Sequence, residues 1–204
     1  MAARRKNPVF VAADANIDLA AKRTVWGRMM NAGQQCIAPD YVLIEESVEE
    51  AFLDRCRHYV REFYGPDPKN NHTVGRIVNG KHFERLQTVL ATHGGTVVVG
   101  GDVDADQRYI APTVIAVARD SPAMAEETFG ARARVSTAPG ALAHAAGPIL
   151  LVATVPDIET AIRHVAARPK PLSLYIFASS ERTQEMILQN TSAGGVSING
   201  AREG

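Results

Sequence analysis

With 204 residues, 46% hydrophobic and 22% charged, the chain is long enough for one domain around a real core. Lys and Arg together number 22, as do Asp and Glu, so the net charge of zero argues against nucleic acid or an anionic membrane as an obligatory partner. No apolar run approaches the ~20 residues of a membrane span, no signal-peptide core follows the basic start Met1-Ala2-Ala3-Arg4-Arg5-Lys6, and both cysteines are read as free thiols in a reducing, cytoplasmic setting.

Residues 15–30 hold Ile17, Ala20, Ala21, Thr24, Val25 and Met29 near helical spacing, which predicts a helix capped by Asp14 and ended by Gly33. Cys36 follows on the loop, and Tyr41-Val42-Leu43-Ile44 reads as a short strand. Ser47-Val48-Glu49-Glu50 has the form of a capping box opening a second helix, with Phe52, Cys56, Tyr59, Val60 and Phe63 on one face. Gly65-Pro66 and Pro68 stop it. A third helix is predicted over 81–92, then a strand over 96–99. Residues 109–117 read as extended and, with Pro112 inside, as edge-like. A helical turn over 122–127 precedes a continuous apolar strand of the buried type over 149–155. Asp157 caps the next helix, 172–177 is another buried strand, Ser180 opens a helix ending near Asn190, and 194–198 is a last strand. This alternation predicts an α/β domain: a largely parallel sheet with flanking helices. Residues 131–147 hold seven alanines in 17 residues without helical or strand periodicity, and read as a poorly ordered loop inserted into the domain.

The chemistry centres on Asn31-Ala32-Gly33-Gln34-Gln35-Cys36-Ile37-Ala38-Pro39-Asp40-Tyr41. A glycine-containing turn between helix and strand presents one thiol where it can face a cleft and attack a carbonyl. A lone cysteine is more often buried and structural, and Cys56, on the apolar face of its helix, is read that way. The run around Cys36, however, resembles the nucleophile loop of aldehyde dehydrogenases, in particular the class 3 branch, in which Ala-Pro-Asp-Tyr follows the cysteine. Lys6-Asn7-Pro8, Trp26-Gly27, Glu62-Phe63-Tyr64-Gly65, Gly75-Arg76-Ile77-Val78, Arg108-Tyr109-Ile110-Ala111-Pro112-Thr113, Pro169-Lys170-Pro171-Leu172-Ser173 and Ser192-Ala193-Gly194-Gly195-Val196 resemble further class 3 segments. The likeness spans residues 6–199 apart from the insert and implies a partial aldehyde dehydrogenase catalytic domain.

The resemblance implies oxidation of an aldehyde to a carboxylic acid with NAD or NADP, through a thiohemiacetal and a thioester on Cys36. Within Glu126-Glu127-Thr128-Phe129-Gly130 it assigns Glu127 to the nicotinamide ribose and Phe129 to the nicotinamide ring. Departures accompany it. The family's Gly-Pro is split here between Gly130 and Pro148 by the insert, and Ala2 stands where the general-base Glu belongs. The dinucleotide-binding domain, with one oxyanion donor, falls outside this chain. The expected partners are a small-molecule aldehyde and a second subunit, either as a homodimer or by pairing with full-length subunits. A non-catalytic fragment acting as an interaction protein is the alternative. The six histidines show no metal spacing and are read as solvent-facing, and Asp102, Asp104 and Asp106 read as a solvated turn, so no metal is expected.

Overall fold

The computed structural model describes residues 6–124 and 147–200. Apolar side chains of the strands point alternately into two cores, and this period of two dictates a sheet covered on both faces. Phe10, Leu43, Ile115, Leu151, Leu174 and Ile176 enter one core. Val9, Val11, Val42, Ile44, Val152, Tyr175 and Phe177 enter the other.

The strands are β1 (Pro8–Val11), β2 (Tyr41–Glu45), β3 (Thr96–Val99), β4 (Val103–Asp104), β5 (Tyr109–Ile110), β6 (Thr113–Val117), β7 (Ile149–Val155), β8 (Ser173–Phe177) and β9 (Gly195–Ile198). Seven of them form one sheet in the order β3-β6-β7-β2-β1-β8-β9, while β4 and β5 make a separate hairpin. Every pairing in the large sheet is parallel except β3 with β6. Helices α1 (Ile17–Met29) and α2 (Glu49–Tyr64) cover one face; α3 (Gly80–Thr92), α4 (Ile158–Ala166) and α5 (Glu181–Asn190) cover the other. The fold is the expected α/β sheet with flanking helices.

Several local expectations change. The segment 8–11, for which no strand was expected, is β1 and lies in the interior of the sheet with all four residues buried. The cap of α1 is Asn16, whose side chain accepts from the Leu19 N–H, because the helix starts two residues later than expected. Asp14 instead accepts from the Ser180 N–H at 2.7 Å, tying this turn to the start of α5. No capping box forms at 47–50: a 3₁₀ turn, Glu46–Val48, runs directly into α2, which leaves Val48, with no capping oxygen, at the N-cap. Strand β6 is internal, not edge-like. Pro112 precedes it, so the ladder never needs the missing N–H, and Thr113 supplies the first one, to the Pro148 carbonyl at 2.7 Å. The helical turn expected over 122–127 is a 3₁₀ turn, Pro122–Met124, among the described residues. Asp104 bonds Lys69 at 2.6 Å and accepts from Gln107, as befits a surface turn.

Residues 131–146 of the insert lie outside the described residues. Gly147, its last residue in the sequence reading, belongs instead to the core: it is buried, and a Cβ there would stand 2.4 Å from Leu86 Cδ2.

His164 on α4 departs from its solvent-facing reading. It is half-buried against Tyr41, ring centroids 5.9 Å apart, and its Nε2 is buried without a hydrogen-bond partner among the described residues. Burial, then the nearby cations Arg168 and Arg119, push its pKa down to about 4 from an ordinary 6.5. The unfolded chain therefore takes up this proton first on acidification. The contribution to stability is whole above pH 6.5 and is lost as pH falls towards 4. His164→Gln removes the titration, so its melting temperature, followed by circular dichroism, should fall less between neutral pH and pH 4 than that of the native chain. Parallel declines would show that residue 164 carries no such penalty.

Candidate active site

Cys36 is positioned by a loop that leaves α1, reverses, and feeds β2 from its amino end. Past Met29 the chain makes a 3₁₀ turn, Met30–Gly33, in which Asn31 (φ 51°), Ala32 (φ 51°) and Gly33 (φ 68°) are all left-handed. For Asn and Ala that conformation costs about 1–2 kcal/mol each, so surrounding contacts must hold it. Gly33 is required for a second reason. A Cβ there would lie 2.2 Å from the Gly147 carbonyl oxygen, so the loop rests on the backbone just before Pro148.

The side chain of Gln34 locks the next step. Its Nε2 donates to the carbonyls of Asn31 (3.2 Å) and Arg76 (3.0 Å), and its Oε1 accepts from the Val78 N–H (2.9 Å). Cys36 follows, exposed. Beyond it the Tyr175 hydroxyl donates to the Ile37 carbonyl. The Asp40 carboxylate accepts from the Asn7 backbone N–H at 2.8 Å and from Arg28 Nη1 at 2.9 Å, and Arg28 Nη1 also donates to the Pro39 carbonyl. Arg28 is only 3% exposed, so this is a buried ion pair whose charges are matched by hydrogen bonds, and loss of one partner would strand the other. The Asn7 side chain donates to the carbonyls of Cys36 and Ala38. An exposed thiol thus sits on a main chain fixed on both sides.

Cys56 is the contrast. It is wholly buried on α2 in the core shared with α1, and burial pushes its thiol pKa far up, which keeps it protonated and unreactive. Glu127 and Phe129, the two cofactor positions from the sequence, lie outside the described residues, so their distance from Cys36 is not part of this geometry. Among the described residues, the polar side chains that hold the loop are turned to the protein itself. Gln34 is committed to Asn31, Arg76 and Val78, Asn7 to the loop itself, and Arg28 to Asp40 and Pro39. Among the described residues no three His, Cys, Asp or Glu side chains are arranged to hold a metal ion.

Sequence reasoning missed Asn7, Arg28, Gln34 and Asp40 as the supports of the loop. One signal was available: Arg28 falls on the stripe of Ala21, Thr24 and Val25, the apolar face of α1, where a charge needs a buried partner.

A sequence model of the Aldehyde dehydrogenase family matches residues 5–204. The chain belongs to the aldehyde dehydrogenase family. It is 38% identical over 194 residues to "Aldehyde dehydrogenase, dimeric NADP-preferring" of Bos taurus, covering 95% of this chain and 73% of that sequence. To "Aldehyde dehydrogenase family 3 member B1" of Rattus norvegicus it is 39% identical over 191 residues, 93% of this chain but 37% of the rat protein. The family 3 name of the rat protein bears out the class 3 likeness of the chain. The structure described as the substrate-bound state of Staphylococcus aureus AldH superimposes with a TM-score of 0.84 at 38% identity, covering 97% of this chain and 40% of that one. The chain thus spans about two fifths of these last two aldehyde dehydrogenases.

The burial contrast predicts the thiol chemistry. In the native chain iodoacetamide should modify Cys36 well before Cys56, as read by peptide mass mapping over time. Equal labelling, or Cys56 first, would contradict the placement of both cysteines.

Proposed function

We propose that this chain carries the covalent half of aldehyde oxidation, with Cys36 as the nucleophile. The observation that supports it is an exposed cysteine on a loop whose backbone is held on both sides by buried polar groups. The thiolate sulfur donates its lone pair to the aldehyde carbon and forms the S–C bond. The carbonyl π pair moves to oxygen, which takes up a proton, leaving a thiohemiacetal. The backbone N–H of Cys36, which makes no hydrogen bond to another described residue, is the donor offered to that oxygen.

The family's onward reaction is oxidation of the adduct to a thioester and hydrolysis to the acid, with NAD or NADP as the oxidant. Glu127 and Phe129 are the positions proposed for contact with that cofactor. The chemistry assigned to the residues of this loop stops at the thiohemiacetal. We also place the chain in the cytoplasm and propose a second subunit as its partner, a copy of itself or a full-length relative; the bovine protein is named as dimeric.

For these 204 residues taken alone, Ala2 at the place of the general base and an oxyanion side chain that the resemblance puts outside them both lower the expected rate. In a well-studied case one oxyanion donor alone is worth roughly 10²–10³ in rate. The purified 204-residue chain should therefore give near-background NADH or NADPH formation with millimolar cofactor and aldehyde. Robust turnover that disappears in Cys36→Ala would show that these residues suffice for the whole reaction.

A further inference from the structure

Asn7 stands just before β1 and is 2% exposed. One side-chain amide there serves both the Cys36 loop and the first residue of β8. Nδ2 donates to the carbonyl of Cys36 at 2.9 Å and to that of Ala38 at 3.0 Å. Oδ1 accepts from the N–H of Ser173, the first residue of β8, at 2.9 Å. Its backbone brackets Asp40: the Asn7 N–H reaches the carboxylate at 2.8 Å, and the Asn7 carbonyl accepts from the Asp40 N–H at 2.9 Å.

This demand is specific to asparagine. Two donors in one plane, with an acceptor beside them, must all lie within reach of a short stem. Aspartate keeps the shape and the acceptor but has no donors when ionised. Glutamine has the groups on a stem one methylene longer. The consequence falls on the nucleophile itself. Holding the Cys36 carbonyl orients the peptide plane between Cys36 and Ile37 while the Gln34 side chain holds the chain on the other side, so the Cα from which the Cβ–Sγ arm leaves is anchored from both directions. The Arg28–Asp40 pair holds positions 39 and 40, further along the loop, and cannot do this.

We infer that Asn7 is the positioning residue of the Cys36 thiol: its amide, by clamping the carbonyls of Cys36 and Ala38, sets the thiol for attack. This rests on the reading of Cys36 as nucleophile. Asn7 touches no substrate and transfers no proton.

The test is the second-order rate of iodoacetamide with Cys36, mapped by mass spectrometry, in the native chain, Asn7→Asp and Asn7→Ala. The control is Phe52→Leu, which loosens the core on the α2 side without touching the loop. Both Asn7 variants should change the Cys36 rate by about threefold or more while still folded, since alkylation follows the thiolate fraction and access that the loop sets. Phe52→Leu should change melting temperature but leave the Cys36 rate within about twofold of native, the range expected when the loop is undisturbed. Asn7 variants that melt lower yet label Cys36 at the native rate would overturn the inference, reducing Asn7 to a stabilising residue. Failure of the nucleophile reading looks different: Cys36 of the native chain would label no faster than Cys56. If neither Asn7 variant folds, nuclear magnetic resonance of the native chain decides. The Asn7 side-chain N–H pair should exchange slowly and shift when Cys36 is alkylated; fast exchange with no shift would overturn the inference.

Discussion

A polar seam at the amino ends of β1, β2 and β8 is the constraint on which the rest of this structure depends. Three parallel strands begin there, and main-chain groups at their entry, among them the Asn7 and Ser173 N–H and the Cys36, Ala38 and Pro39 carbonyls, are taken up by side chains. Asn7, Arg28 and Asp40 supply that pairing from inside the protein. Because buried polar groups are expensive to leave unmatched, the seam admits one arrangement of the chain between Met29 and Tyr41. The sheet thereby imposes a conformation on a loop that contains three left-handed residues in succession and would not adopt it alone. Local strain at the loop is offset by hydrogen bonds at its base, and an exposed thiol is the outcome.

The seam also explains where the site lies. In open parallel sheets ligands commonly sit beyond the carboxyl ends of the strands. Here Cys36, the proposed nucleophile, precedes β2 and stands at the amino ends, on the side where β1 and β8 also start. The carboxyl end of β1 does other work: the Ala12 N–H bonds the Phe177 carbonyl, Asp14 receives the Ser180 N–H, and the turn is closed. The Gly33–Gly147 contact ties the turn before Cys36 to the residues just ahead of β7, so the sheet reaches the loop from a second direction.

Much of the fold was legible in the sequence because its signals are local. Apolar runs such as 149–155 and 173–177, and helices with side-chain caps at Asn79, Asp157 and Ser180, carry their evidence within a few residues. What escaped depends on distance. The interior place of β1 is set by partners at 41–44 and 175–177, and that of β6 by β3 and β7, none of which four or five residues announce. A capping-box spelling at 47–50 lost to the geometry by which β2 turns into α2. The site divides in the same way. Cys36 stood out because the 11 residues around it are distinctive. Asn7 did not, since its bonds span 29 positions to Cys36 and 166 to Ser173. Glu127 and Phe129 rest on likeness alone.

The central claim is that the pinned loop makes Cys36 a carbonyl nucleophile. The most direct measurement is carbon-13 nuclear magnetic resonance of an aldehyde labelled at the carbonyl carbon, mixed with the native chain and with Cys36→Ala and Cys56→Ala. The account predicts a protein-bound tetrahedral carbon signal that is present in the native chain and in Cys56→Ala, and absent in Cys36→Ala. No such signal in the native chain, or one that survives in Cys36→Ala, would contradict it.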